Sequence, residues 1–331
     1  MVSVNLNNAT GAQMSDRVSG RQPTVSVVIP TYNRGPFLSA AIDSVLRQSF
    51  DDLELVIVDD GSQDDTARIV AGWRDPRLRY LAHTRNRGDG AARNSGIEAS
   101  TGTYVAFLDD DDEWLETKLE RQVAVMEAAP GTALVHTGRV DIAGDTGEIL
   151  RIHDHPGVTG DAWSAVIERN CVTTSSVLVR RDCFATVGLF DESIPATSDY
   201  DMWIRLARKH RFAYIDRPLI KYRVHGVRIS TSWALVVRGR RALFAKYEDE
   251  FSKPTRYNAV RHLEFGTVCC LSGDVAAGRA LYAKATRLHL WSGKAYLAWC
   301  LTWFGADRFA WIIRVLNEYR RSSVRPRVAQ R

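Results

Sequence analysis

The sequence predicts an α/β fold with a doubly wound, mixed but mostly parallel sheet, followed by a C-terminal α-helical region. Short runs rich in β-branched residues alternate with helical patterns in the first part of the chain. The last third, by contrast, shows helical patterns alone. We therefore expect a flexible N-terminal tail at 1–22, an α/β domain at 23–230 and a basic helical region at 231–331.

The first part of the chain shows strands that are each followed by a break and a helix, which is the pattern of parallel βαβ units. The predicted strands are Val25–Pro30, Leu53–Val58, Arg79–Leu81, Tyr104–Leu108 and Ala133–His136. The predicted helices are Phe37–Val45, Asp65–Trp73, Ala91–Ser100 and Lys118–Ala129. Pro36 suits the first turn of the first helix, where its missing N–H costs nothing.

Beyond Gly138 the pattern is less regular. It predicts a strand at Ser175–Val179, a short helix from Asp182, a turn at Gly188–Glu192, a helix over Asp199–Ala207 and a closing segment at Tyr222–Gly226. An acidic residue at the start of a helix commonly stabilises that end, so helix capping is the plain interpretation of Asp199.

Composition is that of a globular protein, with 45% hydrophobic and 25% charged residues among 331. The five cysteines show neither a CxxC pair nor a zinc spacing, so we expect reduced thiols in a cytoplasmic protein. Residues 1–22 lack the apolar core of a signal peptide. No run of 18 apolar residues occurs, and a membrane-spanning helix is not expected.

Positive charge is concentrated at the C-terminal end. Residues 231–331 contain 18 Lys and Arg against 7 Asp and Glu, whereas the rest of the chain contains 26 against 32. The stretch Trp291–Leu316 adds many aromatic side chains. This region is either an ordinary helical packing unit or a peripheral contact with an anionic surface, such as the inner face of the cell membrane. No nucleic-acid recognition motif accompanies it, and we expect no nucleic-acid partner.

Four consecutive carboxylates, Asp109–Asp112, follow the strand Tyr104–Leu108 directly. Ligands of open α/β sheets bind beyond the carboxyl ends of the strands. In an extended segment alternate side chains point the same way, so Asp109 and Asp111 could face one divalent cation together. A solvated acidic loop is the alternative. An EF-hand loop is excluded, because its sixth position would be Trp114 instead of glycine.

Polar segments end three of the predicted strands, and parallel strands place them on one edge of the sheet. These segments are Thr31–Arg34, Asp59–Ser62 and Asp109–Asp112. Their convergence predicts a binding site for a polar, charged ligand.

Several motifs in this order resemble glycosyltransferase family 2. They are Val25–Arg34, Ser44–Ser49, Val58–Ser62, Ala92–Gly96 and Phe107–Asp112. The resemblance is strong from Val25 to Gln122, weaker through Ser230, and silent on the last hundred residues. It implies the GT-A fold, a Rossmann-like nucleotide-sugar-binding domain with a donor half at 23–137 and an acceptor half at 138–230.

The resemblance also implies roles for individual residues. The donor-binding residues would be Pro30, Thr31, Tyr32, Asn33, Arg34, Asp59, Gly61, Arg93, Asp109 and Asp110. Mn²⁺ or Mg²⁺ would be held by Asp109 and Asp111, with His225 as a further candidate. Asp199 would be the general base, although Ser198 stands where the family has glutamate. From the residues alone, Arg93 either reaches the phosphates or pins its helix, and Gly61 most simply supplies a tight turn.

Asp59 suggests which nucleotide the donor carries. A carboxylate only accepts hydrogen bonds, and uracil, thymine and guanine present N–H donors where cytosine presents an unprotonated nitrogen. If Asp59 touches the base, UDP-, dTDP- or GDP-sugars fit and CDP-sugars do not. UDP is favoured because it is the commonest donor in the family.

The expected function is therefore metal-dependent, inverting transfer of a sugar to a hydroxyl of a glycan or lipid-linked glycan, in surface polysaccharide biosynthesis. Two other classes are weighed against it. A sugar nucleotidyltransferase would have a glycine-rich phosphate loop after its first strand, where this chain has Thr31–Arg34. A non-catalytic nucleotide- or glycan-binding member would have no use for both Asp199 and the acidic run.

Overall fold

A computed structural model describes residues 22–144, 146–153, 157–226, 232–305, 308–313 and 315. Residues 1–21 of the predicted tail, the predicted domain boundary at 230/231 and the final basic segment 316–331 lie outside the described residues.

Strands and helices alternate up to residue 224, and helices follow. The strands are β1 Val25–Thr31, β2 Leu53–Asp59, β3 Leu78–Ala82, β4 Tyr104–Phe107, β5 Glu113–Trp114, β6 Thr132–Ala143, β7 Ile149–His153, β8 Gly160–Asp161, β9 Leu178–Arg180 and β10 Arg211–Val224. The helices are α1 Gly35–Leu46, α2 Thr66–Ala71, α3 Asp89–Ala99, α4 Lys118–Ala128, α5 Trp163–Glu168, α6 Cys183–Val187, α7 Ser198–Lys209, α8 Trp233–Lys246, α9 Glu248–Phe251, α10 Arg256–Leu271, α11 Val275–Leu288 and α12 Gly293–Leu301, with 3-10 helices at Thr174–Ser176 and Thr302–Phe304.

One mixed sheet forms the centre, in the order β3-β2-β1-β4-β9-β6-β10-β5. β1 pairs in parallel with β2 and β4, β2 with β3, and β6 with β10. The antiparallel ladders, which include those of β7 on β6 and β8 on β10, are short. The predicted mixed, mostly parallel α/β fold is confirmed.

Apolar side chains on both faces of β1 make it a central strand. Val27 and Ile29 pack on one side and Val28 on the other, in two separate buried clusters. On the Val28 side α3 comes very close, because it presents Gly96 to the strand: a Cβ atom at Gly96 would lie 2.2 Å from Val28 Cγ1. This close approach sets the distance between α3 and β1.

Three sequence predictions need correction. The segment predicted as a strand at Ser175–Val179 begins as a 3-10 helix, and β9 starts at Leu178. The strand predicted at Ala133–His136 is the much longer β6, which continues across the predicted division at 137/138. β10, 14 residues long, was not predicted as a strand, and only its last residues fall in the predicted closing segment; Pro218 and two register shifts beside it interrupt the period-two pattern.

The C-terminal region is helical, as predicted. α8 packs on the α/β body, with Leu243 and Tyr247 in the same buried cluster as the sheet. α10 and α11 pack closely through Gly266 and Gly278, since a Cβ at Gly278 would lie 2.2 Å from Cys270 Sγ. Within the described part of the chain, no helix is long and apolar enough to cross a membrane.

Candidate active site

A cleft of about 810 Å³ opens at the carboxyl ends of β1 and β4. It brings together most of the residues that the sequence singled out. Those in its wall are Pro30, Thr31, Tyr32, Asn33, Arg34, Arg93, Asp109, Asp110, Asp111 and Asp199. Parallel β1 and β4 are neighbours, so their carboxyl ends lie side by side despite the long sequence separation.

Asp59 and Gly61 lie next to this wall. The Asp59 carboxylate is buried and accepts hydrogen bonds from the Ser62 backbone N–H at 2.8 Å and the Tyr80 hydroxyl at 2.5 Å. Gly61 has a φ of +80°, and a Cβ there would lie 2.6 Å from the Arg85 carbonyl carbon. Gly61 therefore serves the tight turn, and Asp59 holds that turn in place.

The neighbouring Asp60 does line the cleft, although no role was predicted for it. Its carboxylate accepts hydrogen bonds from the backbone N–H groups of Arg87 and Gly88 at 2.9 and 2.7 Å, and lies 2.6 Å from His83 Nδ1. Asp60 thus fixes the loop that leads into α3.

The acidic run is a turn, so the extended geometry predicted for it is wrong. The Asp112 N–H donates to the Asp109 carbonyl oxygen at 3.1 Å. Asp109 and Asp111 are consequently held by different arginines. Arg93 Nη2 lies 2.9 Å from Asp109, while the Arg34 guanidinium pairs with Asp111.

His225 reaches the same turn from the end of β10. Its Nε2 lies 2.8 Å from Asp111 Oδ2 and 3.4 Å from Arg34 Nη1, and its ring stacks on Phe37 at 4.7 Å between centroids. His225, the further metal-ligand candidate, therefore stands beside Asp111.

Arg93 ties α3 to the acidic turn. Besides Asp109 it binds Asp89 in its own helix, with Nη1 2.6 Å from Oδ2, and its buried Nε has no hydrogen-bond partner in the described part of the structure. Asn94, in contrast, faces away from the cleft: its side chain binds the Phe190 backbone at 2.8 and 2.9 Å. Of this pair, Arg93 is the residue with access to a ligand.

Crowded carboxylates dominate the electrostatics. Burial and the Asp111 carboxylate raise the pKa of Asp110 to about 7, against the attraction of Arg34. Burial also raises the pKa of Asp109, and raises that of Asp112 well above its usual value, with repulsion from Asp111 adding to both. A buried acidic turn of this kind is stabilised in its charged form by a cation.

The charge of the whole cleft points the same way. Its described lining carries eight carboxylates and four guanidinium groups. The carboxylates are those of Asp60, Asp89, Asp109, Asp110, Asp111, Asp191, Glu192 and Asp199, and the guanidiniums those of Arg34, Arg87, Arg93 and Arg238. A polyanionic ligand would be repelled by this excess unless a cation entered with it.

No group of three or more His, Cys, Asp or Glu side chains converges on a metal position among the described residues. Mg²⁺ bound with phosphates usually takes one or two carboxylates from the protein and completes its shell with phosphate oxygens and water. The acidic turn fits a cation held in that shared way, and it does not form a closed protein cage.

Asp199 lies in the first turn of α7, at the far side of the cleft. Its Oδ2 lies 3.4 Å from Asn170 Nδ2 and 3.3 Å from the Thr174 hydroxyl. Burial raises the pKa of Asp199, against the attraction of Arg93 and the Tyr200 N–H. A carboxylate with a raised pKa is better suited to take a proton than an ordinary exposed one.

A second cavity of about 380 Å³ meets the cleft at Asp199. The two share Asp109, Thr174, Asp199 and Tyr222 in their walls. The rest of the second cavity is polar and aromatic, with Arg139, Arg169 and Tyr214 among its lining residues. The partly buried Asp199 carboxylate is thus accessible from both compartments, as is that of Asp109. Asp199 can therefore act on a group in one compartment while a second group is bound in the other.

Backbone strain is concentrated in the same place. Asn33, with a φ of 52°, and Ala196, with a φ of 59°, are the non-glycine residues with positive φ in the described chain, and both line the cleft. Asn33 is held there by the Ser62 hydroxyl and the Gln63 N–H, at 2.8 and 2.7 Å.

Comparison with known proteins identifies the family. The profile described as glycosyl transferase family 2 matches residues 26–185. The amylovoran biosynthesis glycosyltransferase AmsB of Erwinia amylovora is 33% identical over 209 residues, which cover 60% of this chain and 68% of AmsB. The putative teichuronic acid biosynthesis glycosyltransferase TuaG of Bacillus subtilis is 31% identical over 215 residues, covering 64% and 83%. The chain belongs to glycosyltransferase family 2.

Other family members match over shorter shares of their length. The glucosyltransferase WfgD of Escherichia coli is 39% identical over 102 residues, which are 31% of this chain and 40% of WfgD; its name gives UDP-Glc as donor and alpha-D-GlcNAc-diphosphoundecaprenol as acceptor. The chain spans about a third of three uncharacterized glycosyltransferases from Rickettsia felis, R. bellii and R. conorii, at 34%, 31% and 33% of their lengths.

A solved structure of the same fold is that of S. aureus TarS residues 1-349 in complex with UDP-GlcNAc. It superposes with a TM-score of 0.55 at 17% identity, covering 89% of this chain and 92% of that one. The GT-A fold expected from the sequence motifs is confirmed. The family profile ends at residue 185, so Asp199, Tyr222 and the helix α8 in the cleft wall come from outside the matched segment.

Proposed function

We propose that this family 2 glycosyltransferase moves a sugar from a nucleotide-sugar to a hydroxyl group of a glycan or lipid-linked glycan, with inversion at the anomeric carbon. The observation that carries the proposal is the position of Asp199, in the wall of both the large cleft and the second cavity. The large cleft would hold the donor, and the second cavity the acceptor sugar.

In this arrangement Asp199 is the general base. It takes the proton from the acceptor hydroxyl as the oxygen bonds to the anomeric carbon, and the nucleoside diphosphate leaves on the opposite side. A single displacement of this kind inverts the anomeric carbon and needs no nucleophile from the protein. Asn170 and Thr174 hold the carboxylate at 3.4 and 3.3 Å, while burial keeps its pKa raised.

A divalent cation, Mn²⁺ or Mg²⁺, completes the proposed donor site. Asp109 and Asp111 are the proposed ligands, with Asp110 and His225 beside them. When bound, the metal would supply Lewis-acid stabilisation of the charge on the departing diphosphate. The excess of carboxylates in the cleft supports this proposal, because it leaves a diphosphate without enough protein cations.

UDP is the favoured nucleotide of the donor. Support comes from the carboxylates at the end of β2, which only accept hydrogen bonds and suit the N3–H of uracil. Asp59 was the predicted contact; Asp60 lines the cleft beside it. WfgD is named for a UDP-sugar donor, and TarS was solved with UDP-GlcNAc.

The proposed biological setting is surface polysaccharide biosynthesis. The names of AmsB and TuaG refer to such polymers, and WfgD is named for a lipid-linked acceptor. The second cavity supports an acceptor sugar, since aromatic faces such as Tyr214 and polar side chains such as Asn170 and Thr173 surround it.

We further propose peripheral contact with an anionic lipid bilayer at the inner face of the membrane. Three indoles of the C-terminal region, those of Trp291, Trp303 and Trp311, are 92%, 65% and 64% exposed. In the sequence, residues 287–331 carry nine Lys or Arg against two Asp or Glu, and this is the sign of charge that anionic lipids attract.

Vesicle sedimentation tests this contact. The protein should pellet with phosphatidylglycerol vesicles and remain in solution with phosphatidylcholine vesicles, and the variant with all three indoles replaced by alanine should lose binding. Trp233→Ala, at an exposed indole of α8, is the matched control. Equal binding of the triple variant and the wild type would exclude this surface as the contact.

The enzymatic proposal is tested first by thermal unfolding with UDP, GDP, dTDP and CDP, each with and without Mn²⁺. A ligand at a hundredfold excess over its Kd stabilises the fold by about 2.7 kcal/mol. We expect a metal-dependent shift with UDP that Asp111→Asn abolishes. A shift that does not need the metal would refute the cation site, and stabilisation by CDP over UDP would refute the assigned base.

Turnover separates the alternatives. Release of UDP from a UDP-sugar with an acceptor supports the transferase. Nucleotide binding without turnover would instead indicate a binding member of the family, and release of pyrophosphate from a nucleoside triphosphate and a sugar phosphate would indicate a nucleotidyltransferase.

A further inference from the structure

The C-terminal helix α8 forms part of the wall of the donor cleft. Leu235 and Arg238, one turn apart on α8, both line it. The helix can come this close because its next residue is Gly239, where a Cβ would lie 1.8 Å from the Pro195 carbonyl oxygen. Its far end is tied to the body by Lys246, whose Nζ lies 2.8 Å from both Asp191 and Asp201.

Three of the four cleft arginines are already engaged. Arg34 pairs with Asp111, and Arg93 bridges Asp89 and Asp109. Arg87 lies 3.6 Å from Glu192. Each would have to weaken an existing ion pair in order to bind an incoming anion.

Arg238 is different. It is exposed, it lines the cleft, and its side chain makes no ion pair or hydrogen bond with any residue that the structure describes. Its guanidinium N–H groups can therefore bind an anion without breaking an existing ion pair. Arginine binds phosphate oxygens through two parallel hydrogen bonds, which suits a diphosphate well.

We propose that Arg238 binds the diphosphate of the nucleotide-sugar donor, so that the C-terminal helical region completes the donor site. The inference rests on the proposed function, and it adds a phosphate-binding residue that neither the motifs nor the matched family segment contains. The divalent metal ion and the Arg238 guanidinium together supply the positive charge that offsets the surplus of carboxylates when the diphosphate enters.

The test measures binding of UDP and of uridine in the presence of Mg²⁺ by isothermal titration or competition. Arg238→Gln should weaken UDP binding by about tenfold or more, as expected for one lost charge-assisted contact. Binding of uridine, which has no phosphate, should not change. Arg238→Lys should recover part of the UDP affinity, because it keeps the charge and loses the fork.

Arg241→Gln is the matched control. Arg241 lies on the same helix one turn away, is exposed, and pairs with Asp274 at 2.5 Å outside the cleft. Its replacement changes the net charge by the same amount and should leave UDP affinity within twofold of wild type. A general charge effect would lower UDP affinity equally in both variants and would overturn the proposal.

The remaining outcomes are also decisive. Wild-type affinity for UDP in Arg238→Gln overturns the role of Arg238 and leaves the proposed function standing. Equal loss of UDP and uridine binding shows a structural role for the residue and overturns it as well. A wild-type protein that binds no UDP with Mg²⁺ overturns both this inference and the favoured donor.

Discussion

Replacing Gly96 by alanine tests how the donor cleft is built. Gly96 faces Val28 across the contact between α3 and β1, and the added Cβ would lie 2.2 Å from Val28 Cγ1 and 3.0 Å from Cγ2. Carbon atoms in good contact are about 3.5–4.0 Å apart. Because Val28 is β-branched and fully buried, no rotation of its side chain clears both methyl groups. The helix must therefore move away from the strand by more than about 1 Å.

The size of the effect follows from two opposing terms. Overpacking of a well-filled core costs about 1–3 kcal/mol. Alanine recovers up to about 1 kcal/mol relative to glycine inside a helix. We expect Gly96→Ala to lower the free energy of unfolding by about 1–2 kcal/mol. Since α3 carries Arg93 and Asp89, we also expect kcat/KM to fall by up to about a hundredfold, as a misplacement of 1 Å does at other sites.

Urea denaturation followed by circular dichroism measures the first quantity, and steady-state UDP release the second. The double variant Val28→Ala/Gly96→Ala is the control. Removal of the Val28 methyl groups leaves its Cβ, 3.2 Å from the new atom, as the nearest contact on that side chain. Val28→Ala alone should cost about 1.5–3 kcal/mol, and the double variant should lose less than the sum of the single losses. Strict additivity, or a Gly96→Ala protein as stable and active as wild type, would refute this account of the contact.

Three further predictions concern other parts of the molecule. Asp199→Asn should reduce turnover about 10²–10⁴-fold while the Kd for UDP is unchanged, and retained turnover would remove Asp199 as the base. Because burial raises the pKa of Asp199, this carboxyl favours folding less as pH rises through the acidic range. Thermal melts should therefore show the stability of the variant increasing relative to that of the wild type from pH 4 to pH 7. Burial holds the pKa of Lys118 well below its ordinary value, so the unfolded chain binds a proton that the folded chain lacks and the stability of the protein rises with pH. Lys118→Met should remove this pH dependence, and urea midpoints of variant and wild type that run parallel from pH 7 to pH 9.5 would contradict the prediction. Ala196→Gly should stabilise the protein by up to about 1 kcal/mol in thermal melts, because glycine adopts the positive φ of this position without the penalty of a Cβ; a lower melting temperature would argue against strain there.

The sequence predicted the local structure of the first part of the chain well, because short patterns of neighbouring residues determine that structure. Buried β-branched runs identify β1 and β2, and polar residues end them where ligands bind. The same reasoning failed for the acidic run. The run follows a strand directly, but a hydrogen bond from the Asp112 N–H to the Asp109 carbonyl oxygen makes it a turn. Ser175 and Arg223, from distant parts of the chain, hold Asp112 in the position that this bond needs.

The family, the α/β class and the set of polar strand ends could therefore be predicted from sequence, because each depends on contiguous residues with a fixed spacing. Only the folded chain shows which carboxylates share an arginine, that Asp60 stands in the cleft wall beside the predicted Asp59, and that Asp199 is accessible from two cavities. It also brought Arg238 into the donor cleft. These are relations between segments far apart in sequence, and packing of α3, α7 and α8 on the sheet creates them, so no local pattern of residues could record them.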